Sequence, residues 1–246
     1  MRLVIRSLLA ATAVAPVVPA VAQSVPTRTL SRPAAEYAEP FTQIAGVREL
    51  RDGRVIVADP RDKVVQVIDL RSGTAQTIGR EGSGPGEYAI PMSLFALPGD
   101  SSGVVDPLNG RMLAITPDAK PGEFISLAPP STGRQGGGPG IMSLGNLVAV
   151  DNRGRFYLRG SPFRIVDGTP EAADSVPIER WDRASGKRDT VAYLPVPRGT
   201  ASVSGSRGRI SMRIGGNGPF APQDQAVVAP DGRVAIIYAD PFRVDY

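Results

Sequence analysis

Two residue types that carry much protein chemistry are missing from this chain: it has no histidine and no cysteine. That rules out a Ser-His-Asp triad, a Cys-His pair and a histidine-bound zinc ion. Carboxylates and arginines remain. Asp59, Asp106 and Asp151 stand at strand ends or turns, and Asp59 and Asp106 close equivalent segments 47 residues apart. Turned to one face by repeat symmetry, the three would ring a calcium ion or orient a hydroxylated ligand, because hard cations take carboxylate oxygens. The same residues suit a plainer role, in which a turn aspartate accepts hydrogen bonds from nearby backbone amides. The dense Asp-x-Asp-x-Asp-Gly calcium loop is absent. No cofactor is expected, and calcium is the one ion that would fit.

Arg198, Arg207, Arg209 and Arg213 lie among serines and glycines at 198–218. Arg207, Arg209 and Arg213 form a candidate binding patch for a carboxylate or polyanion, held by guanidinium forks. Its composition also suits a flexible loop. Trp181, between Arg180 and Asp182, is either a stacking platform or, as is common for a large aromatic in a strand, core.

The densest glycine run is Gly79-Arg80-Glu81-Gly82-Ser83-Gly84-Pro85-Gly86-Glu87-Tyr88. A phosphate loop needs Gly-Lys-Ser/Thr opening a helix, and Glu87-Tyr88 follows here instead. Arg80, Glu81 and Glu87 then brace a junction whose structural residues are Gly82, Gly84, Pro85 and Gly86. Weaker copies occur at Gly136-Gly137-Gly138-Pro139-Gly140 and Gly215-Gly216-Asn217-Gly218-Pro219-Phe220, 54 and then 80 residues further on, counted between the prolines. These are junctions of repeats with loops of unequal length.

Between the junctions, short alternating runs predict antiparallel strands. The first unit has strands at 44–50, 55–59, 64–69 and 74–78, with Asp52-Gly53 as a two-residue hairpin turn. The second has 92–97, a Pro98-Gly99-Asp100 turn, 103–106, 111–115 and 124–127. The third has 146–150, 155–158, an intervening loop at 160–175, then 176–181 and 190–194. Asp182-Arg183-Ala184-Ser185-Gly186-Lys187 matches Asp69-Leu70-Arg71-Ser72-Gly73-Thr74. The fourth has 225–229, 233–239 and a last strand at 242–246. An unpaired edge strand is normally covered or closed, so a longer protein is expected.

The chain holds 28 glycines and 24 prolines among 246 residues, which favours an all-β fold. Residues 1–22 have the basic start, apolar core and Ala20-Val21-Ala22 site of a signal peptide, and at 15 residues the apolar run is shorter than the roughly 20 a membrane span needs. Cleavage removes Arg2 and Arg6 and no acid, taking the net charge from +4 to +2. With only three lysines and scattered arginines, nucleic acid is not an expected partner. Residues 23–41 read as an extended linker or edge strand, with 27–30 a short strand within it, and 42–246 as the folded domain. The expected protein is periplasmic or secreted, without a stable membrane anchor, and monomeric when full-length.

Gly79 to Tyr88, after Ile68-Asp69 and before Ile90-Pro91, resembles the blade junction of bacterial exported six-bladed β-propellers related to NHL-repeat proteins. Asp52-Gly53-Arg54-Val55-Ile56-Val57-Ala58-Asp59 resembles their inner hairpin. The resemblance spans roughly 42–246, loosening after Gly160. It implies four-stranded antiparallel blades, about three and a half of the six being present. It leaves function open between a non-catalytic module for a protein or small-molecule ligand, which is favoured, and a calcium-assisted lactonase-type hydrolase.

Overall fold

The computed structural model describes residues 32–127, 146–166, 169–196, 201–206, 209–214 and 223–246. The leader at 1–22, the strand expected at 27–30, the connectors at 136–140 and 215–220, and Arg198 and Arg207 lie outside the described residues. Residues 35–246 form one compact unit, to which all the described strands belong.

Strands β1 (Gly46–Glu49), β2 (Val55–Asp59), β3 (Val64–Asp69) and β4 (Thr74–Thr77) pair in that order as one antiparallel sheet. The connector contributes a small parallel pair, β5 (Arg80–Glu81) with β6 (Glu87–Tyr88). A second sheet follows from β7 (Ser93–Ala96), β8 (Ser102–Asp106), β9 (Arg111–Ile115) and β10 (Pro121–Ser126). The third blade begins with β11 (Asn146–Val150) and β12 (Phe156–Arg159). A separate hairpin, β13 (Phe163–Val166) with β14 (Thr169–Ala172), interrupts it before β15 (Ser175–Trp181) and β16 (Arg188–Pro195) complete the sheet. The hairpin of β17 (Ala201–Ser206) and β18 (Arg209–Ile214) leads to a fourth blade of β19 (Gln225–Val228), β20 (Val234–Ala239) and β21 (Phe242–Asp245). The fold is an all-β propeller with four blades. Among the described residues its helical content is one 3₁₀ turn at Pro98–Asp100.

Three sequence expectations need correction. The first inner turn has three residues, not two: Leu50 donates its N–H to Arg54 O (2.8 Å), enclosing residues 51–53. Only Gly53 adopts positive φ (85°), whereas a two-residue type I′ loop needs it at both central positions. The loop expected at 160–175 contains β13 and β14, whose register leaves only Asp167-Gly168 between them, a strong hairpin dipeptide. Within 198–218, where the composition suits a flexible loop, residues 201–206 and 209–214 pair as antiparallel strands, with Ser202 opposite Arg213 and Ser206 opposite Arg209.

Each middle blade buries both faces. In blade 2, Val104, Leu113 and Ile115 join Leu50, Ile56, Ala58, Val65 and Val67 of blade 1. Met112 and Val105, on the opposite face of the same strands, join Phe156, Leu158 and Trp181 of blade 3. Blades 3 and 4 meet through Val176, Ile178, Leu194 and Ile236. This follows from the period-2 alternation of side chains along a strand. The first strands run beside one another, β1 with β7, β7 with β11 and β11 with β19. A Cβ on Gly46 would stand 2.9 Å from Leu94 N, so β1 and β7 approach backbone to backbone.

Candidate functional site

The three candidate aspartates fall into two structural classes. Asp59 ends β2 and Asp106 ends β8, each nine residues after the residue that closes its inner turn, Leu50 or Leu97. Asp151 is itself the turn-closing residue of blade 3: its N–H bonds Arg155 O (3.1 Å), as Leu50 bonds Arg54, Leu97 bonds Ser101 and Ala229 bonds Arg233. A carboxylate thus occupies the place that leucine or alanine fills in the other blades. Gly160 holds the Asp59 position in blade 3.

All three aspartates are almost fully buried, and each uses both carboxylate oxygens. Asp59 Oδ2 accepts the N–H groups of Thr42 (2.8 Å) and Gln43 (2.9 Å), while Oδ1 accepts those of Arg61 (2.9 Å) and Asp62 (3.1 Å). The residue therefore ties the chain entering blade 1 to the turn after β2. Burial works against its charge, but the four amides outweigh burial and hold its carboxyl below the usual carboxylate range. Asp106 accepts the N–H groups of Ala89 (3.0 Å) and Ile90 (3.3 Å) and the amide of Asn109 (2.7 Å), the same tie made to the connector entering blade 2.

Asp151 Oδ1 takes the N–H groups of Arg153 (2.9 Å) and Arg155 (3.0 Å), and Oδ2 faces the Arg155 guanidinium at 2.6 Å. The Tyr157 hydroxyl lies 3.1 Å from Oδ2 and 3.2 Å from Gly232 O in the inner turn of blade 4. Burial opposes the charge on Asp151, and Arg155 foremost among its partners keeps the carboxyl low. Burial and the neighbouring carboxylate push the Tyr157 phenol up. The group is a polar lock between blades 3 and 4. Among the described residues, no three acidic side chains stand close enough together to hold a metal ion.

The glycine-rich connector wraps around its own glutamate. Glu87 Oε2 accepts the Gly84 N–H (2.8 Å), Oε1 accepts Arg80 Nε (2.7 Å), and the Glu87 carbonyl accepts Arg111 Nη2 (3.1 Å). The Gly84 amide and Arg80 lower the Glu87 carboxyl below its ordinary range. A Cβ on Gly82 would stand 2.1 Å from Glu87 Oε2, and one on Gly79 (φ 69°) 2.4 Å from Gly86 O. Tyr88, fully buried, accepts the Val65 N–H and donates to Ile78 O, both at 3.0 Å. The anion held by this loop is the protein's own carboxylate.

The inner turns meet in series. Arg51 N donates to Asp100 Oδ2 (3.1 Å), joining turn 1 to turn 2, and Asp100 also holds the Arg48 guanidinium at 2.8 Å. A Cβ on Gly154 would touch Pro98 Cγ at 3.4 Å, joining turn 2 to turn 3. Asn152 N donates to Pro230 O (2.8 Å), joining turn 3 to turn 4. Sequence reading misses this rim because its ties cross some 50 to 80 residues. Aligning the turns of blades 1, 3 and 4 on Gly53, Gly154 and Gly232 would have shown Asp151 in the place of Leu50 and Ala229, with Arg54, Arg155 and Arg233 following the glycine; turn 2, with Gly99-Asp100, departs from the pattern. Arg209 and Arg213 are placed only by strand register in β18, and Trp181 is core, set edge-on to Phe156 with ring centroids 5.9 Å apart.

No protein-family profile matches the chain, and no curated protein matches it. Solved structures similar to it include hydrazine synthase of Kuenenia stuttgartiensis, 15% identical over 80% of this chain and 44% of that one, with a TM-score of 0.41. A catalytically inactive virginiamycin B lyase from Staphylococcus aureus with quinupristin is 11% identical over 82% of this chain and 65% of that one, TM-score 0.41. A nidogen/laminin complex is 14% identical over 82% of this chain and 78% of that one, TM-score 0.41. The chain thus spans less than two thirds of the first two, and no activity is carried over from any of them.

Proposed function

We propose that this chain belongs to an exported, non-catalytic β-propeller, NHL-repeat-like and six-bladed at full length, that binds a protein or small-molecule ligand on one face of its ring. The observation that carries the reading is the saturation of Asp59, Asp106 and Asp151. Their oxygens are spent on backbone amides, Asn109, Arg155 and Tyr157, so a cation would have to displace donors that fasten the blades. A calcium-assisted hydrolase needs such oxygens free. Further blades are favoured by Val47 and Val227, which lie 59% and 48% exposed on the outer flanks of blades 1 and 4, where a propeller blade normally has a neighbour. Export rests on the residue pattern at 1–22.

The test uses full-length protein recovered from the cell envelope. N-terminal sequencing is expected to start near Gln23, and intact Met1 would refute export. A panel of lactones is expected to show no turnover with added calcium; calcium-dependent hydrolysis would replace this reading with the enzymatic one.

A further inference from the structure

Four arginines and four aspartates at the inner-turn end of the blades neutralise one another: Arg48 with Asp100, Arg54 with Asp52, Arg155 with Asp151 and Arg233 with Asp231. After that pairing, cations are left over. Arg51 and Arg153 are exposed, and neither guanidinium has an ion-pair partner among the described residues, although both backbone amides are used. Arg71, from the turn between β3 and β4 at the same end, also lacks an ion pair among the described residues, and its guanidinium lies 3.4 Å from where a Cβ on Gly53 would stand. The opposing charges there are Glu49 on β1, Asp69, whose carboxylate accepts the Arg71 backbone N–H (2.8 Å), Asp118, two residues from Lys120, and Asp182, in the turn between β15 and β16 beside Arg183 and Lys187.

These arginines are held in place by the rim already described. Arg51 is fixed by its own N–H to Asp100, and Arg153 by its N–H to Asp151, so their backbones are set while their heads face solvent. Arginine in such a place suits carboxylates, which its planar fork meets with two parallel hydrogen bonds. Blades packed face to face stand about 10 Å apart. The turns of blades 1 and 3 are therefore on the order of 10–20 Å apart, the reach of roughly four to six residues of extended chain. Asp52 and Asp231, with side chains about half exposed on the same rim, would repel a densely sulfated polyanion more than a peptide whose flexible carboxylate side chains can turn away from them.

We infer that the inner-turn rim is the ligand face of this propeller and that it takes an extended acidic peptide segment, with Arg51 and Arg153 gripping separate carboxylates and Arg71 flanking the first. This rests on the proposed binding role and names the face and the partner chemistry.

The test is fluorescence anisotropy of labelled hexaglutamate on the full-length protein at low and physiological salt, with hexalysine, succinate and dextran sulfate as comparison ligands. Hexaglutamate binding that weakens as salt rises, with hexalysine and succinate inert, is expected. Charge reversal at Arg51→Glu with Arg153→Glu is expected to weaken it at least tenfold. Arg61→Glu, in the turn between β2 and β3 at the opposite end, is expected to leave it within twofold. Hydrogen exchange on the unmutated protein supplies a second reading, with slowed exchange expected at 51–54 and 152–155 when hexaglutamate is added. The inference is overturned by no hexaglutamate binding, by equal losses from Arg61→Glu, by protection elsewhere, or by dextran sulfate binding more tightly than hexaglutamate. Calcium-dependent lactone turnover would defeat the non-catalytic reading without altering any of these results.

Discussion

The junction between blades 1 and 2 and the junction between blades 3 and 4 solve one packing problem with different chemistry. At the first, Leu50 closes the inner turn and joins Ile56, Ala58, Val65, Val104, Leu113 and Ile115 in an apolar contact, with Tyr88 of the connector as its polar anchor. At the third, Asp151 stands in the position of Leu50 and Tyr157 in that of Ile56. The apolar contact is smaller, built on Val176, Ile178, Leu194 and Ile236. Hydrophobic burial is non-directional and tolerant, whereas a buried ion pair is stable only while every partner is present. The first junction should therefore be the stronger and the third the more specific.

That contrast can be broken at Asp151. Replacing it with leucine leaves the Arg155 guanidinium, whose side chain is 15% exposed, without its carboxylate, and is expected to cost about 3 kcal/mol in chemical denaturation. Combining Asp151→Leu with Arg155→Met removes both charges and is expected to recover at least half of that loss. A double variant no better than the single one would show that the position does not tolerate the apolar solution.

Truncating the apolar contacts sharpens the same comparison at a somewhat smaller scale. Leu113→Ala at the first junction is expected to cost about 3 kcal/mol and Ile236→Ala at the third about 2 kcal/mol, because less apolar surface surrounds Ile236. Equal losses, read from denaturation midpoints at constant slope, would remove the claimed asymmetry.

Acid is the gentlest probe. Asp59 and Asp151 titrate lower in the folded chain than in the unfolded one, so their stabilisation is complete above the unfolded value near pH 4 and is lost as pH falls through the lower folded values. Thermal midpoints are expected to fall steadily below about pH 4, and less steeply in the Asp151→Leu, Arg155→Met variant. An unchanged slope would mean that Asp151 contributes nothing to the pH dependence.

Much of the blade architecture is legible in the sequence because it is local. The alternation in Val55–Asp59, Arg111–Ile115 and Asn146–Val150 marks those strands to the residue. Local signals also mislead where two readings share a residue type. Asp151 follows the first strand of its blade, as the expected strand at 146–150 implies, whereas Asp59 and Asp106 end second strands; what the sequence hides is that its carboxylate binds Arg153, Arg155 and Tyr157. The bond from Arg48 to Asp100 joins residues 52 apart, and nothing in either neighbourhood announces the other. The hairpin at 163–172 escapes a blade-by-blade reading although Asp167-Gly168 signals one, because its two strands pair with each other and not with the blade.

We propose that the buried aspartates act as fasteners between chain segments and not as ligands awaiting a cation. Thermal unfolding of the full-length protein across a calcium titration, with EDTA as reference, tests this directly. The midpoint is expected to stay constant in the unaltered protein and to drop in Asp59→Asn regardless of calcium, since an asparagine amide would face two N–H donors. A midpoint that rises and saturates with calcium, and loses that rise in Asp59→Asn or Asp106→Asn, would contradict it.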